Sequence, residues 1–75
     1  MLTTGRVVKT LRTLQGLLQS DLHQRTGLHK NIIVDIEADR RIVQAEEQTA
    51  LEMVFGVSLD TAEKTLAPLL PQSTK

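Results

Sequence analysis

From its first residues the chain spaces apolar side chains at helical intervals: Val7, Leu11 and Leu14 stand at i, i+4 and i+7, with Val8 beside them. This predicts a first helix with one buried face, capped by Thr3 or Thr4 and stopped after Gln15 by Gly16, which tolerates the positive φ of a helix end. A second, short helix is predicted from about Leu18 to Arg25, burying Leu18 and Leu22 and ending at Thr26-Gly27. The third runs from His29 or Lys30 to Ala38. At about 100° per residue, Ile33, Ile36 and part of Ile32 share one side of it, whereas Lys30, Asn31, Val34 and Asp35 share the other. Asp39-Arg40-Arg41 leads through a connector to a fourth helix near Ala45 to Phe55, with Ala50, Leu51, Val54 and Phe55 as apolar members and Gly56 as its stop. Ser58 caps a last helix with Leu59, Ala62 and Leu66 on one stripe, and Pro68 and Pro71 limit its continuation. No stretch alternates with the period of a strand, and no repeat of solenoid length occurs. The expected fold class is all-α: five short helices around one core, with residues 1–70 as the domain and 71–75 as a frayed tail.

Composition narrows the picture. The chain has 75 residues, 40% hydrophobic, with Phe55 as its single aromatic, which describes one small domain without room for a large buried cavity. A domain of this size hides only about 60% of its unfolded surface, so association with a second copy is expected to add stability. The absence of cysteine excludes a disulfide framework, a thiolate zinc site and a cysteine nucleophile, and makes a cytoplasmic location the expectation. Uninterrupted apolar runs reach three residues, as in Ile32-Ile33-Val34, far short of the roughly 20 needed to span a membrane.

Nine basic residues balance nine acidic ones, yet they are unevenly placed. Residues 1–41 carry seven basic and four acidic side chains, a net +3; residues 42–75 carry two and five, a net −3. Such asymmetry points to a nucleic-acid-facing front half. Overall neutrality predicts weak non-specific binding, so that a tight complex would depend on pairing of two copies. His23 and His29 are six residues apart, which does not bring them to one helical face, and Glu46 and Glu47 open a helix where acids favour the dipole. No catalytic residue, metal or cofactor is therefore expected.

Two helices joined by a short glycine-containing turn, the second with a polar outer face, make a helix-turn-helix. The stretch from Gly16 to Glu37, GLLQSDLHQRTGLHKNIIVDIE, resembles that motif in the phage repressor and Cro family. The residues that carry the resemblance are Gln19, Leu22, Gly27, Leu28, Ile33, Ile36 and Glu37, and it extends to Gly56-Val57-Ser58. It implies a compact phage-repressor-like domain with helices 2 and 3 as the motif. It further implies a partly buried ion pair between Arg12 and Glu37, and a contact of Gln19 with DNA phosphate at the start of helix 2.

On the recognition helix that the resemblance implies, His29 takes the cap position, with capping or phosphate contact as its role. Lys30 and Asn31 occupy the first turn. Lysine suits guanine O6 or N7, asparagine suits adenine N6 and N7, Val34 suits a thymine methyl and Asp35 suits cytosine N4. Arg40 and Arg41 follow the helix as phosphate contacts, with Arg6, Lys9 and Arg25 as further candidates. The sequence departs from the family pattern where Leu18 replaces a capping Ser or Thr, His23 a small alanine, Thr26 an apolar residue and Asp39 a frequent glycine. The implied function is a sequence-specific transcriptional regulator of double-stranded DNA, a homodimeric repressor on a palindromic operator, with Leu66, Leu69 and Leu70 at the dimer interface. The alternatives are an antitoxin or adaptor whose main task is binding a partner protein, and a restriction-modification controller protein.

Overall fold

The computed structural model describes residues 3–66, which form five α-helices and, among those residues, no strand. They are α1 (Thr4–Leu14), α2 (Gln19–Thr26), α3 (Lys30–Glu37), α4 (Ala45–Phe55) and α5 (Leu59–Leu66). Helix α1 packs against α3, α4 and α5, and α2 packs against α3 and α4. The core between them is built from Val7, Val8 and Leu11 of α1, Leu22 of α2, Ile33 and Ile36 of α3, and Leu51 and Phe55 of α4, closed by Leu59, Ala62 and Leu66 of α5.

The helix ends follow from their chemistry. Thr3 caps α1, its hydroxyl accepting from the Arg6 N–H at 3.2 Å. At the other end Gln15 is the cap and Gly16 takes a φ of 71°, which lets the Leu17 N–H reach the Arg12 carbonyl at 2.9 Å and the Gly16 N–H reach that of Thr13 at 3.1 Å. The same double closure ends α3, from Arg40 to Asp35 at 2.8 Å and from Asp39 to Ile36 at 3.1 Å. There the left-handed residue is Asp39, with a φ of 60°, in the role a glycine usually plays. Ser58 opens α5 by accepting from the Thr61 N–H at 3.0 Å, and Glu52 of α4 receives the Leu59 N–H at 2.7 Å.

Two expectations are corrected. Leu14 and Leu18 are 68% and 65% exposed instead of buried. The buried residues of α1 are Gly5, Val7, Val8 and Leu11, and Leu14, in the last turn, lies outside that stripe; beyond it the Gln15 amide donates to the Phe55 carbonyl at 3.0 Å. Helix α2 begins at Gln19, which leaves Leu18 as an extended cap residue outside the helical face. Leu17 packs onto the core in its place, at the position before the cap, with Leu22 four residues into the helix. That is the arrangement of a hydrophobic staple. Without a side-chain oxygen at Leu18, one half of the usual reciprocal cap survives: Asp21 accepts the Leu18 N–H at 2.7 Å.

Gly5, which the apolar pattern passes over, has a specific reason to be glycine. A Cβ there would lie 2.0 Å from the Ile36 carbonyl oxygen and 2.6 Å from Asp39 Oδ1, so α1 and the end of α3 touch backbone to backbone. The Thr3 hydroxyl donates to Asp39 Oδ2 at 3.0 Å and ties the same two segments together.

Candidate nucleic-acid interface

Helix α3 has eight residues, about 12 Å of helix, and a helix with its side chains is about as wide as a DNA major groove. Its Ile33 and Ile36 are buried and Ile32 packs against the core, whereas Lys30 and Asn31 on its first turn are exposed and Val34 and Asp35 are half-buried. Sequence and structure therefore agree on which face turns outward. His29 is the N-cap: its Nδ1 accepts from the Asn31 N–H at 3.2 Å, so of the two roles expected for it the capping one is made within the chain.

The far end of α3 is held by a polar junction of three helices. Arg12 of α1 donates from Nε to Glu37 Oε2 at 2.7 Å and from Nη2 to Oε1 at 3.1 Å, a two-pronged pair with side chains 15% and 4% exposed. The remaining prong of Arg12, Nη1, donates to the Leu17 carbonyl at 2.9 Å. Gln19 of α2 completes the set, donating from Nε2 to Glu37 Oε1 at 3.1 Å. An ionised carboxylate taken this far out of water must be matched on both oxygens, and here it is. The amide of Gln19 is thus committed inside the protein through its nitrogen, and its side chain lies in a surface crevice with Lys9, Leu18 and Val34. The Arg12 to Glu37 pair stands as the resemblance implied, extended by two partners that spacing alone did not reveal.

Arg40 and Arg41, expected side by side on phosphate, behave differently from each other. Arg40 donates from Nε to Asp35 Oδ1 at 3.1 Å, and both side chains stay open to solvent. Arg41 turns toward α4 and pairs with Glu47, a residue that also accepts the Gln44 N–H at 3.0 Å at the start of that helix. Its own Nε is buried without a partner among the described residues. Arg6, Lys9, Arg25 and Lys30 form no ion pair with any described residue and all are exposed, so the unmatched positive charge lies on α1, α2 and α3. Favourable potential toward a polyanion is gathered on the helix-turn-helix side of the molecule.

Of the leucines expected at a dimer surface, Leu66 is 8% exposed and belongs to the core of the single chain, packed in the helix that covers α1. Leu69 and Leu70 lie outside the described residues, as does the tail 71–75. Among the described residues no group of three or more His, Asp or Glu side chains could hold a metal ion, and no helix is long and apolar enough to cross a membrane.

A helix-turn-helix family model matches residues 8–61, from α1 into the first turn of α5. The chain belongs to the helix-turn-helix family of the phage repressor and Cro type. Comparison with curated proteins and with solved structures returned no match. As a member of this family the protein is a DNA-binding transcription regulator, and the family's work is binding, not catalysis. In this helix-turn-helix protein the motif is α2, the turn Gly27–Leu28–His29 and α3, with Gly27 at a φ of 76° making the corner.

Proposed function

We propose that the protein is a repressor that binds a palindromic operator as a homodimer, laying α3 of each copy in the major groove. The observation that carries this reading is the first turn of α3. Lys30 and Asn31 stand exposed there, on a helix whose opposite face and far end are fixed by the core and by the Arg12, Glu37 and Gln19 junction. Base reading needs donors and acceptors held still, since a loose side chain gives up its discrimination to entropy. In this reading Lys30 and Asn31 meet base edges, Val34 and Asp35 lie at the next turn, and Arg6, Lys9, Arg25 and Arg40 neutralise phosphates. Gln19 and His29 assist at the two helix starts, and Arg41 acts through the position it gives the loop before α4.

For the dimer, with Leu66 committed to the core, the proposed surface is the outward side of α4, where Met53 is 80% exposed, together with Leu69 and Leu70. A two-fold pair with α3 helices one turn of DNA apart, roughly 34 Å, would read two half-sites. The test joins two measurements: selection of binding sites from randomised duplex DNA, and sedimentation of the protein alone and on the selected site. A selected palindrome occupied by two copies, with association reduced in Met53→Lys, is expected. A non-palindromic site held by one copy would overturn the homodimer.

A further inference from the structure

Helix α2 meets the turn before α3 through two side chains that depart from the family pattern. The Thr26 hydroxyl donates to the Leu22 carbonyl at 2.5 Å and accepts the Leu28 N–H at 3.1 Å. His23 reaches the other side of the same residue, with Nδ1 2.7 Å from the Leu28 carbonyl oxygen. A carbonyl only accepts, so the proton sits on Nδ1 of His23. Both backbone polar groups of Leu28 are therefore held by α2, immediately ahead of the residue that caps the recognition helix. We propose that His23 is a positioning residue for DNA reading: its ring latches the Leu28 carbonyl, fixing the angle at which α3 presents Lys30 and Asn31.

The latch acts by leverage. Ile33, Ile36 and Glu37 anchor the middle and end of α3, but no buried residue lies in its first turn. The start of the helix is held by Ile32 and Leu28, both half-buried against the core, and by the polar contacts to Leu28. Lys30 and Asn31, two and three positions beyond Leu28, carry the base-reading atoms, and recognition tolerates errors of only about 0.5 Å. His23 itself is exposed, so its loss opens no cavity and frees the Leu28 carbonyl to bond water. It touches the turn and leaves the core alone. The two histidines of the motif are thereby set in opposite tautomers, Nδ1–H in His23 and Nε2–H in His29, whose Nδ1 accepts from Asn31.

This inference rests on the regulator reading above, and its test separates the two. The full chain is compared with His23→Ala and His23→Asn, the asparagine amide standing near the place of Nδ1, on a DNA site selected by the wild type and on a scrambled duplex. The alanine variant should melt within a few degrees of wild type and lose roughly three- to tenfold in affinity for the selected site. Binding to the scrambled duplex should be unchanged, and the asparagine variant should recover most of the lost affinity. Nitrogen-15 spectra of the neutral rings should show the Nδ1–H tautomer for His23 and the Nε2–H tautomer for His29. Unchanged affinity in His23→Ala, equal losses in both variants, or an equal loss on scrambled DNA would each overturn the latch. So would an Nε2–H tautomer at His23 in a protein that binds its site normally. An Nδ1–H tautomer in a protein that selects no sequence would instead remove the regulator reading, and with it the latch's role in DNA recognition.

Discussion

Two glutamates are buried in this protein, and the contrast between their surroundings separates its front half from its back half. Glu37, at the end of α3, accepts from Arg12 of α1 and Gln19 of α2, partners 25 and 18 residues away, and Arg12 has every prong engaged. Glu47, in the first turn of α4, accepts from Arg41 and from the Gln44 N–H, six and three residues away, and leaves a guanidinium Nε buried and unmatched. The first is a junction of three helices; the second closes a local loop. The front-half helices bury Val7, Val8, Leu11, Leu22, Ile33 and Ile36, and distant polar contacts add to their mutual fixing. The back half relies on Leu51, Phe55, Leu59 and Ala62 in the core. A surface that reads DNA must hold its shape, and the long-range network is on the side that bears α3, the proposed recognition helix.

Breaking the two glutamate sites should give the largest difference. Arg12→Met leaves the buried Glu37 carboxyl without its cationic partner, a change expected to cost about 3 to 5 kcal/mol in urea unfolding, most of the stability of so small a domain. Arg41→Met should cost no more than about half as much, because Arg41 is 33% exposed and Glu47 keeps its backbone donor. Equal losses would dissolve the distinction.

Next comes the backbone contact that seats α3 on α1. Gly5→Ala should gain about 1 kcal/mol if helix propensity alone acted. The collision with the Ile36 carbonyl predicts the opposite sign, a net loss of about 1 to 3 kcal/mol, read in the same unfolding experiment. The start of α2 supplies a gain. Leu18→Ser adds the missing cap oxygen at a residue already mostly exposed, and should stabilise by about 0.5 to 1 kcal/mol. The smallest change is Asp35→Asn, which should leave stability within about 0.5 kcal/mol, since the pair with Arg40 is solvent-exposed. Its effect should appear instead as tighter binding to scrambled DNA at low salt, because Arg40 is released and a carboxylate beside the phosphates is removed.

The fold was readable from residue spacing because many helix boundaries carry a local signal. Thr3, Gly16, Gly27, Gly56 and Ser58 mark ends that depend on nearby residues alone, and Ala45–Phe55 is where periodicity put it. Leu14 and Leu18 misled because burial depends on which neighbouring helix covers a turn, which periodicity does not encode. Leu66 misled in the reverse sense: at the end of α5 it has α1 to pack against, so its leucine is spent on the core. The outward-facing residues of α3 were visible as the polar side of an amphipathic helix. Their supports were not, since the Gln19 contact with Glu37, the Thr3 contact with Asp39 and the turning of Arg41 toward Glu47 arise from tertiary approach. Gly5 alone had left a trace, as a glycine set inside a helical pattern where it lowers propensity and so calls for a packing reason.

The central claim is that this protein reads sequence through the first turn of α3. It is tested most directly by titrating wild type, Lys30→Ala and Asn31→Ala onto a site selected from randomised duplex DNA and onto that site with single base pairs changed. Each variant should lose about 1 to 3 kcal/mol on the selected site and become indifferent to one base pair that the wild type distinguishes, while melting as the wild type does. Wild-type affinity and unchanged base preference in both variants would contradict the claim.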